Sequence, residues 1–361
     1  TDVKINKKNK SCRKKEKSDL GAAILFLAPN FIGFLIFTLI PMVFSLVMSL
    51  YDWPLTGTHT FVGLKNFITL FTKDILFFKV MKNTFVYVIA YVALNVVIAL
   101  GMAVWITSLK KANQFFRSVF FLPMMVGIVS STMIFKWILN DTGIVNTVLR
   151  FFGAEGFNWF GSTKTAMIAV VIVSIWQGFG YNMVIFISGL LSVPKSLTEA
   201  AKIDGANSIQ IFFKITLPAM SPSIFFAVVM TVISSFQVFD QTFVSTMGGP
   251  NNETNTMVLY LYNNAFKYQR LGYASAIAWV LFFCMLIITG ILMKQQKRLV
   301  NYDSSAGGLH EEKKRNYINC SYQHNSCNIY YSAGIYGFYI IETKVGSFAG
   351  YYIIDWFQSN Y

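Results

Sequence analysis

The sequence predicts an all-α integral membrane protein, a helical bundle of six spans. Composition is the first reason: of 361 residues, 55% are hydrophobic and only 13% charged, whereas soluble domains carry about a quarter charged residues. Six apolar runs long enough to cross a bilayer are the second reason. The third is that lysines and arginines flank those runs. A formal charge of +14 gathered in one groove would point to nucleic acid. Spread around apolar runs, it reads as membrane topology and argues against a nucleic-acid partner.

Residues 1–19 form a basic tail with Lys7, Lys8, Lys10, Arg13, Lys14, Lys15 and Lys17. The tail is too long and too basic for a signal peptide, and the run that follows is too long for its apolar part. Crossing ~30 Å of hydrocarbon takes roughly 20 residues at about 1.5 Å each. Runs at 22–50, 85–107, 119–139, 166–191, 220–243 and 273–293 meet this length, and together they place a transmembrane domain over 20–302. Pro29 and Pro41 predict kinks in the first run, and Pro123 sits near the start of the third. Residues 51–79 mix Trp53, Phe61, Phe67 and Phe71 with polar side chains, the pattern of a helix lying at the membrane interface. Gly248, Gly249 and Pro250 predict a tight turn where the fifth run ends.

Cytoplasmic loops retain Lys and Arg, and the charges alternate accordingly. The amino-terminal tail, the loop with Lys110, Lys111 and Arg117, the loop with Lys195, Lys202 and Lys214, and the end marked by Lys294, Lys297 and Arg298 fall on one side. The opposite loops hold Lys65, Lys73 and Lys79, then Arg150 and Lys164, then Lys267 and Arg270. The richer side is cytoplasmic, so both termini are expected there in a multi-pass membrane protein. Residues 303–361, rich in Tyr, Asn and Ile, contain no run long enough to span. With AT-rich codons, reading one base later from His310–Glu311 gives Met-Lys-Lys-Lys followed by an apolar run. The tail is therefore expected to be an overlap with, or a frameshift into, a downstream gene; sequencing the locus decides, and a locus lacking that start codon would sink the idea. The tail is set apart from the functional reading.

Cys12, Cys284, Cys320 and Cys327 lack metal-ligand spacing, and His59, His310 and His324 are scattered, so no metal site is expected. Nothing matches G-x-x-x-x-G-K-[ST], so any ATP must be held by another chain.

One stretch is polar among these runs: Glu199 to Pro218, EAAKIDGANSIQIFFKITLP. Ser196 and Glu199 have the spacing of a capping box, and Pro194 stops the preceding helix. Ala200 and Ala201 offer a small-residue face that a partner's groove could cover. Asp204 and Gly205 end the first helix. A second amphipathic segment follows, with Ile209, Phe212 and Phe213 on one side, until Leu217–Pro218 redirect the chain. The expected shape is an exposed, bent hook of two helices.

Glu199-Ala200-Ala201, Gly205 and Leu217-Pro218 resemble the EAA loop of permease subunits in bacterial ABC importers. Ser235 to Asp240, Gly248 to Pro250, Gly272 to Ala276, and Phe121-Leu122-Pro123 resemble the sugar-transporting branch. The similarity covers about residues 20–302. It implies the six-span bundle of a type I importer permease that passes a mono- or oligosaccharide into the cytoplasm. The implied partners are a second homologous permease, two ATPase subunits that bind ATP and Mg, and an extracytoplasmic solute-binding protein. The chain itself would hold no cofactor and catalyse no reaction. Glu199, Ala200, Ala201, Asp204, Gly205, Leu217 and Pro218 would couple the chain to the ATPase, Glu199 by capping the hook or meeting a basic group there, Ala200 and Ala201 by allowing close approach and Gly205 by supplying the bend.

Polar groups within spans are costly unless they face a cavity or another helix. Trp176, Gln177, Tyr181 and Asn182, with Gln237, Asp240 and Gln241, combine the stacking aromatics and bidentate partners that sugars need. For each of them, hydrogen bonding between helices is the competing role. Lys136 is expected to reach for the interface and Asn95 to serve packing. Two other classes compete: a self-sufficient secondary transporter or channel, which needs carboxylates deep in the spans, and a membrane enzyme, which needs a cluster of His, Asp or Glu.

Overall fold

The computed structural model describes residues 27–109 and 112–299; the basic tail to residue 19 and the segment 303–361 lie outside the described residues. The chain divides into two compact units, one carrying the first helix to Leu50 and the other starting at Tyr51.

The first unit holds α1, Leu27–Ser49. A wider turn over Leu35–Leu39 precedes Pro41, with the Ile40 N–H reaching the Leu35 carbonyl. Proline removes a donor from the helix ladder, and the enlarged turn accommodates the gap.

In the second unit a hairpin of β1 (Tyr51–Asp52) and β2 (Thr60–Phe61) precedes α2 (Lys65–Thr72). The hairpin was not legible in the aromatic pattern, although α2 presents the expected apolar face, with Ile68 and Phe71 exposed. Next comes α3, Ile75–Ser108. Its 34 residues span about 50 Å, against ~30 Å of hydrocarbon. The helix begins well before the apolar run does, and those early turns carry Lys79, Lys82, Asn83 and Thr84.

The third run is not one straight span. It forms α4 (Asn113–Met125) and α5 (Ile128–Ile138), bent by 97°. Pro123 lies inside α4, and the helix stops at Val126. The amphipathic α6 (Ile144–Phe151) follows, then α7 (Ala166–Ser192). After the hook, made of α8 (Lys195–Ile203) and α9 (Ser208–Ala219), comes α10 (Ser221–Phe236). The fifth run is thus shorter than expected, because the chain breaks at Gln237 and resumes as the separate α11 (Asp240–Thr246). The glycine turn follows as expected, with Met247 and Gly248 both at positive φ. Then come α12 (Met257–Tyr262) and α13 (Leu271–Leu299). Among the described residues four helices are long and apolar enough to span, and the two bent pairs make six if each pair is one span.

Helices α3 and α7 run parallel in a fixed register: Tyr87 meets Ser174, Tyr91 meets Gly178 and Asn95 meets Asn182. A Cβ on Gly178 would strike the Tyr91 hydroxyl, so glycine is what lets the two helices close. Helix α10 runs antiparallel to α7, with Thr231 beside Asn182 and Ser223 beside Gly189. The core where they meet is built of Ala99, Ala103, Phe179, Met183, Phe186 and Met220. The parallel pair is what two even-numbered spans require, and the antiparallel partner is what an odd one requires. The unit therefore has two distinct ends: the hook closes one, while the hairpin, the 247–262 segment and the start of α13 close the other.

Candidate functional site: the hook and the polar groups of the spans

Pro194 occupies the N-cap of α8, with no side-chain cap. The expected Ser196–Glu199 box does not form, because the helix has already begun at Lys195 and Glu199 lies a full turn inside it. The box sits instead at α9, where Asn207 Oδ1 accepts from the Gln210 N–H at 2.8 Å and Gln210 Oε1 accepts from the Asn207 N–H at 3.0 Å. The signal was visible as Asn three residues before Gln.

Between the two helices Gly205 adopts φ +82°. Its N–H donates to the Lys202 carbonyl at 3.1 Å and that of Ala206 to the Ala201 carbonyl at 2.9 Å. These paired bonds form a Schellman motif, which closes a helix through a residue in the left-handed conformation. A Cβ at Gly205 would meet nothing within 4 Å; glycine is required by the backbone angle, not by space.

Glu199, Ala200, Asp204 and Gly205 are exposed. Ala201 is buried, so it packs the hook from within and does not share the outer face expected of it. Ile211 likewise turns inward, leaving Ile209 and Phe213 exposed. Ile203, which the sequence reading did not single out, is 86% exposed. Leu217 and Pro218 are half-buried, and the N–H of Leu217 reaches the Phe212 carbonyl across another enlarged turn. One residue past α9, Met220 enters the core shared by α3, α7 and α10. The hook is internally capped, exposes Ile203, Ile209 and Phe213 among polar residues such as Lys202, Asp204 and Gln210, and is anchored in three spans.

The polar span residues divide into two groups. Asn182 is buried; its Nδ2 donates to Asn95 Oδ1 at 2.6 Å and to Thr231 Oγ1 at 2.8 Å. It ties α3, α7 and α10 together, as the competing role anticipated, and Asn95 and Thr231 are its partners. Gln177 Nε2 donates to the Val126 carbonyl at 3.0 Å, satisfying an acceptor freed where the third run breaks. Gln237 sits at the break after α10, its Nε2 3.9 Å from Met285 Sδ of α13. Of the others, Trp176, Asp240 and Gln241 are half-buried, as Gln177 and Gln237 are. Trp176 packs on Phe135 of α5, ring centres 5.1 Å apart, and Tyr181 is exposed. Asp240 and Gln241 open α11, which packs on α5 and α7. Lys136 is exposed, its Nζ 3.5 Å from the Val244 carbonyl of α11.

These features define the transmembrane subunit of a transporter of the type I importer class. The fold is that of the permease in a bacterial alginate ABC transporter, solved with an alginate pentasaccharide-bound periplasmic protein: TM-score 0.71, 21% identity, covering 80% of this chain and 98% of that one. Residues 96–301 match the family described as binding-protein-dependent transport system inner membrane component, and the chain belongs to that family of ABC transporter permeases. It is 39% identical to the probable ABC transporter permease protein YesP of Bacillus subtilis (strain 168), over 82% of this chain and 96% of that protein. It is 32% identical to the arabinooligosaccharides transport system permease protein AraP of the same strain, over 77% and 89%. It is 35% identical to the multiple sugar-binding transport system permease protein MsmF of Streptococcus mutans, over 76% and 94%. The chain is accordingly a multi-pass membrane protein and a transport component.

Proposed function

We propose that the chain is one permease of an ATP-driven importer that carries a sugar into the cytoplasm. The hook carries this reading: a self-capped projection anchored through Met220 in three spans, with Ile203, Ile209 and Phe213 exposed among polar residues, is built to receive a push and pass it on as a rigid movement. Ile203, Ile209 and Phe213 supply its contact surface, with Glu199 and Asp204 at the rim. Gly205 and Leu217–Pro218 fix its two bends. The chain holds no ATP; ATP and Mg belong to two ATPase subunits on the cytoplasmic side, the side on which both termini lie. A second permease completes the pathway, and an extracytoplasmic binding protein delivers the solute. The names of the relatives for arabinooligosaccharides and multiple sugars support a mono- or oligosaccharide, and the scarcity of Arg and Lys within the spans favours a neutral one. Trp176 and Tyr181 offer rings and Asp240 and Gln241 offer hydroxyl partners; Asn182 belongs to the scaffold.

Purification from native membranes, followed by reconstitution and a screen of labelled sugars, tests this. ATP-dependent uptake of a sugar by the co-purified assembly is expected. Uptake by this chain alone, without any ATPase, would overturn the reading.

A further inference from the structure

The end of the unit opposite the hook carries a constellation that the coupling reading leaves unused. Asp74 caps α3, its Oδ1 accepting from the Phe77 N–H at 3.0 Å. Its Oδ2 accepts from two phenols at 2.5 Å each, Tyr260 of α12 and Tyr273 of α13. Among the described residues no cation pairs with this carboxylate. Hydrogen bonds to an ionised acceptor are about twice as strong as neutral ones, so three such donors hold three helices at one point.

The early turns of α3 continue the attachment. Lys79 pairs with Glu253 at 2.8 Å and donates to the Asn251 carbonyl at 2.7 Å. Asn83 Nδ2 donates to the carbonyls of Asn252 and Asn255, and Thr84 Oγ1 accepts from the Met257 N–H at 2.9 Å. On the far side the Gly272 N–H donates to the Trp53 carbonyl. The two stretches 248–250 and 272–276, singled out in the sequence with no chemistry attached, both converge here.

We propose that Asp74 is a positioning residue. Together with Tyr260 and Tyr273 it clasps the start of α3, the 248–262 segment and the start of α13 into one body that stays undivided through the transport cycle. Helix α11 goes with the clasped body, through the Thr246–Thr254 hydroxyl pair, Thr256 Oγ1 donating to the Val238 carbonyl and Phe243 packed against Tyr262, so motion at this end occurs between that body and α5. The inference rests on the importer reading only for the existence of a cycle.

The test uses spin-label distances in the full chain, purified with its co-assembling subunits in nanodiscs, with the four native cysteines replaced by serine. Labels at Phe78 and Tyr268, both exposed, report across the clasp; labels at Phe78 and Trp137 report across the proposed moving boundary. Nucleotide-free samples are compared with samples trapped by Mg-ATP and vanadate. One narrow 78–268 distance, the same in both states, is expected while the 78–137 distance shifts. In Y260F/Y273F the 78–268 distribution should broaden and become state-dependent, with D74N, which keeps the cap acceptor, in between. A 78–268 distance that shifts in the unaltered clasp, or a double variant as narrow as the parent, would overturn the proposal. Should the double variant not assemble, Y273F and D74N are read in its place by the same criterion. A control distance that does not move under vanadate counts against the importer reading, while the clasp still stands or falls on the variants.

Discussion

Where α3 begins, side chains are bound to fixed partners: Asp74, Lys79, Asn83 and Thr84 all engage the 251–273 segment. Where α7 gives way to α10, the hook satisfies its own backbone through Gly205 and the Asn207–Gln210 box, and leaves Ile203, Ile209 and Phe213 in the open. One end is tied down by contacts between distant parts of the chain. The other closes its own backbone and, among the described residues, joins the rest of the unit through Met220 and the adjoining spans. Burial differs too. Tyr260 is buried at the clasp, and its hydroxyl pKa is raised first by that burial and then by the hydrogen bond to Asp74. Fixed geometry at one end and exposed apolar side chains at the other is the division expected of a subunit that is pushed from a single side.

Altering the hook should have the largest effect. Gly205→Val forces a β-branched residue into the left-handed region at a cost of about 1–2 kcal/mol. ATP-driven uptake is expected to fall on the order of tenfold or more, with ATP hydrolysis by the assembly retained. Gly205→Asn, which tolerates that backbone, should keep most uptake. The same uptake in both variants would remove the distinction between a shaped hook and a flexible loop.

Inside the spans the comparison sharpens between scaffold and path. Asn182→Ala leaves Asn95 and Thr231 without their shared partner, and interhelical bonds of this kind are worth roughly 0.6–1.7 kcal/mol each. A lowered unfolding temperature with an unchanged KM for sugar is expected. Trp176→Ala should instead raise the KM, and a KM that moves only in Asn182→Ala would reverse the two assignments. The smallest effect is assigned to Asn207→Ala: loss of the cap costs ~1 kcal/mol. Faster proteolysis within 203–210, with assembly intact, is the expected reading.

Much of this division was legible in the sequence, for identifiable reasons. Apolar length marked the spans. Gly205 and Pro194 marked the ends of α8, because each acts through its own backbone. What escaped depends on contacts between remote parts of the chain. Pro123 signalled an irregularity, but the 97° bend becomes tolerable only because Gln177 satisfies Val126 from another helix. Asp74 stood one residue before a helix as any cap might, and nothing local announced two phenols from 186 and 199 residues away. Asn182 read equally well as path or scaffold until Asn95 and Thr231 were seen beside it. The Ser196–Glu199 box failed for a local reason: Pro194 had already taken the capping position.

Ile203 and Ile75 give the most direct test of the two-ended account, since they are 86% and 87% exposed and lie at opposite ends of the same unit. Each would be replaced by a single cysteine in the full chain, on a background with the native cysteines removed, and treated in native membranes with a bifunctional thiol reagent. The account predicts that Ile203→Cys is captured by the ATPase subunit and that Ile75→Cys is not. Capture of the ATPase at position 75, or at neither position, would contradict it.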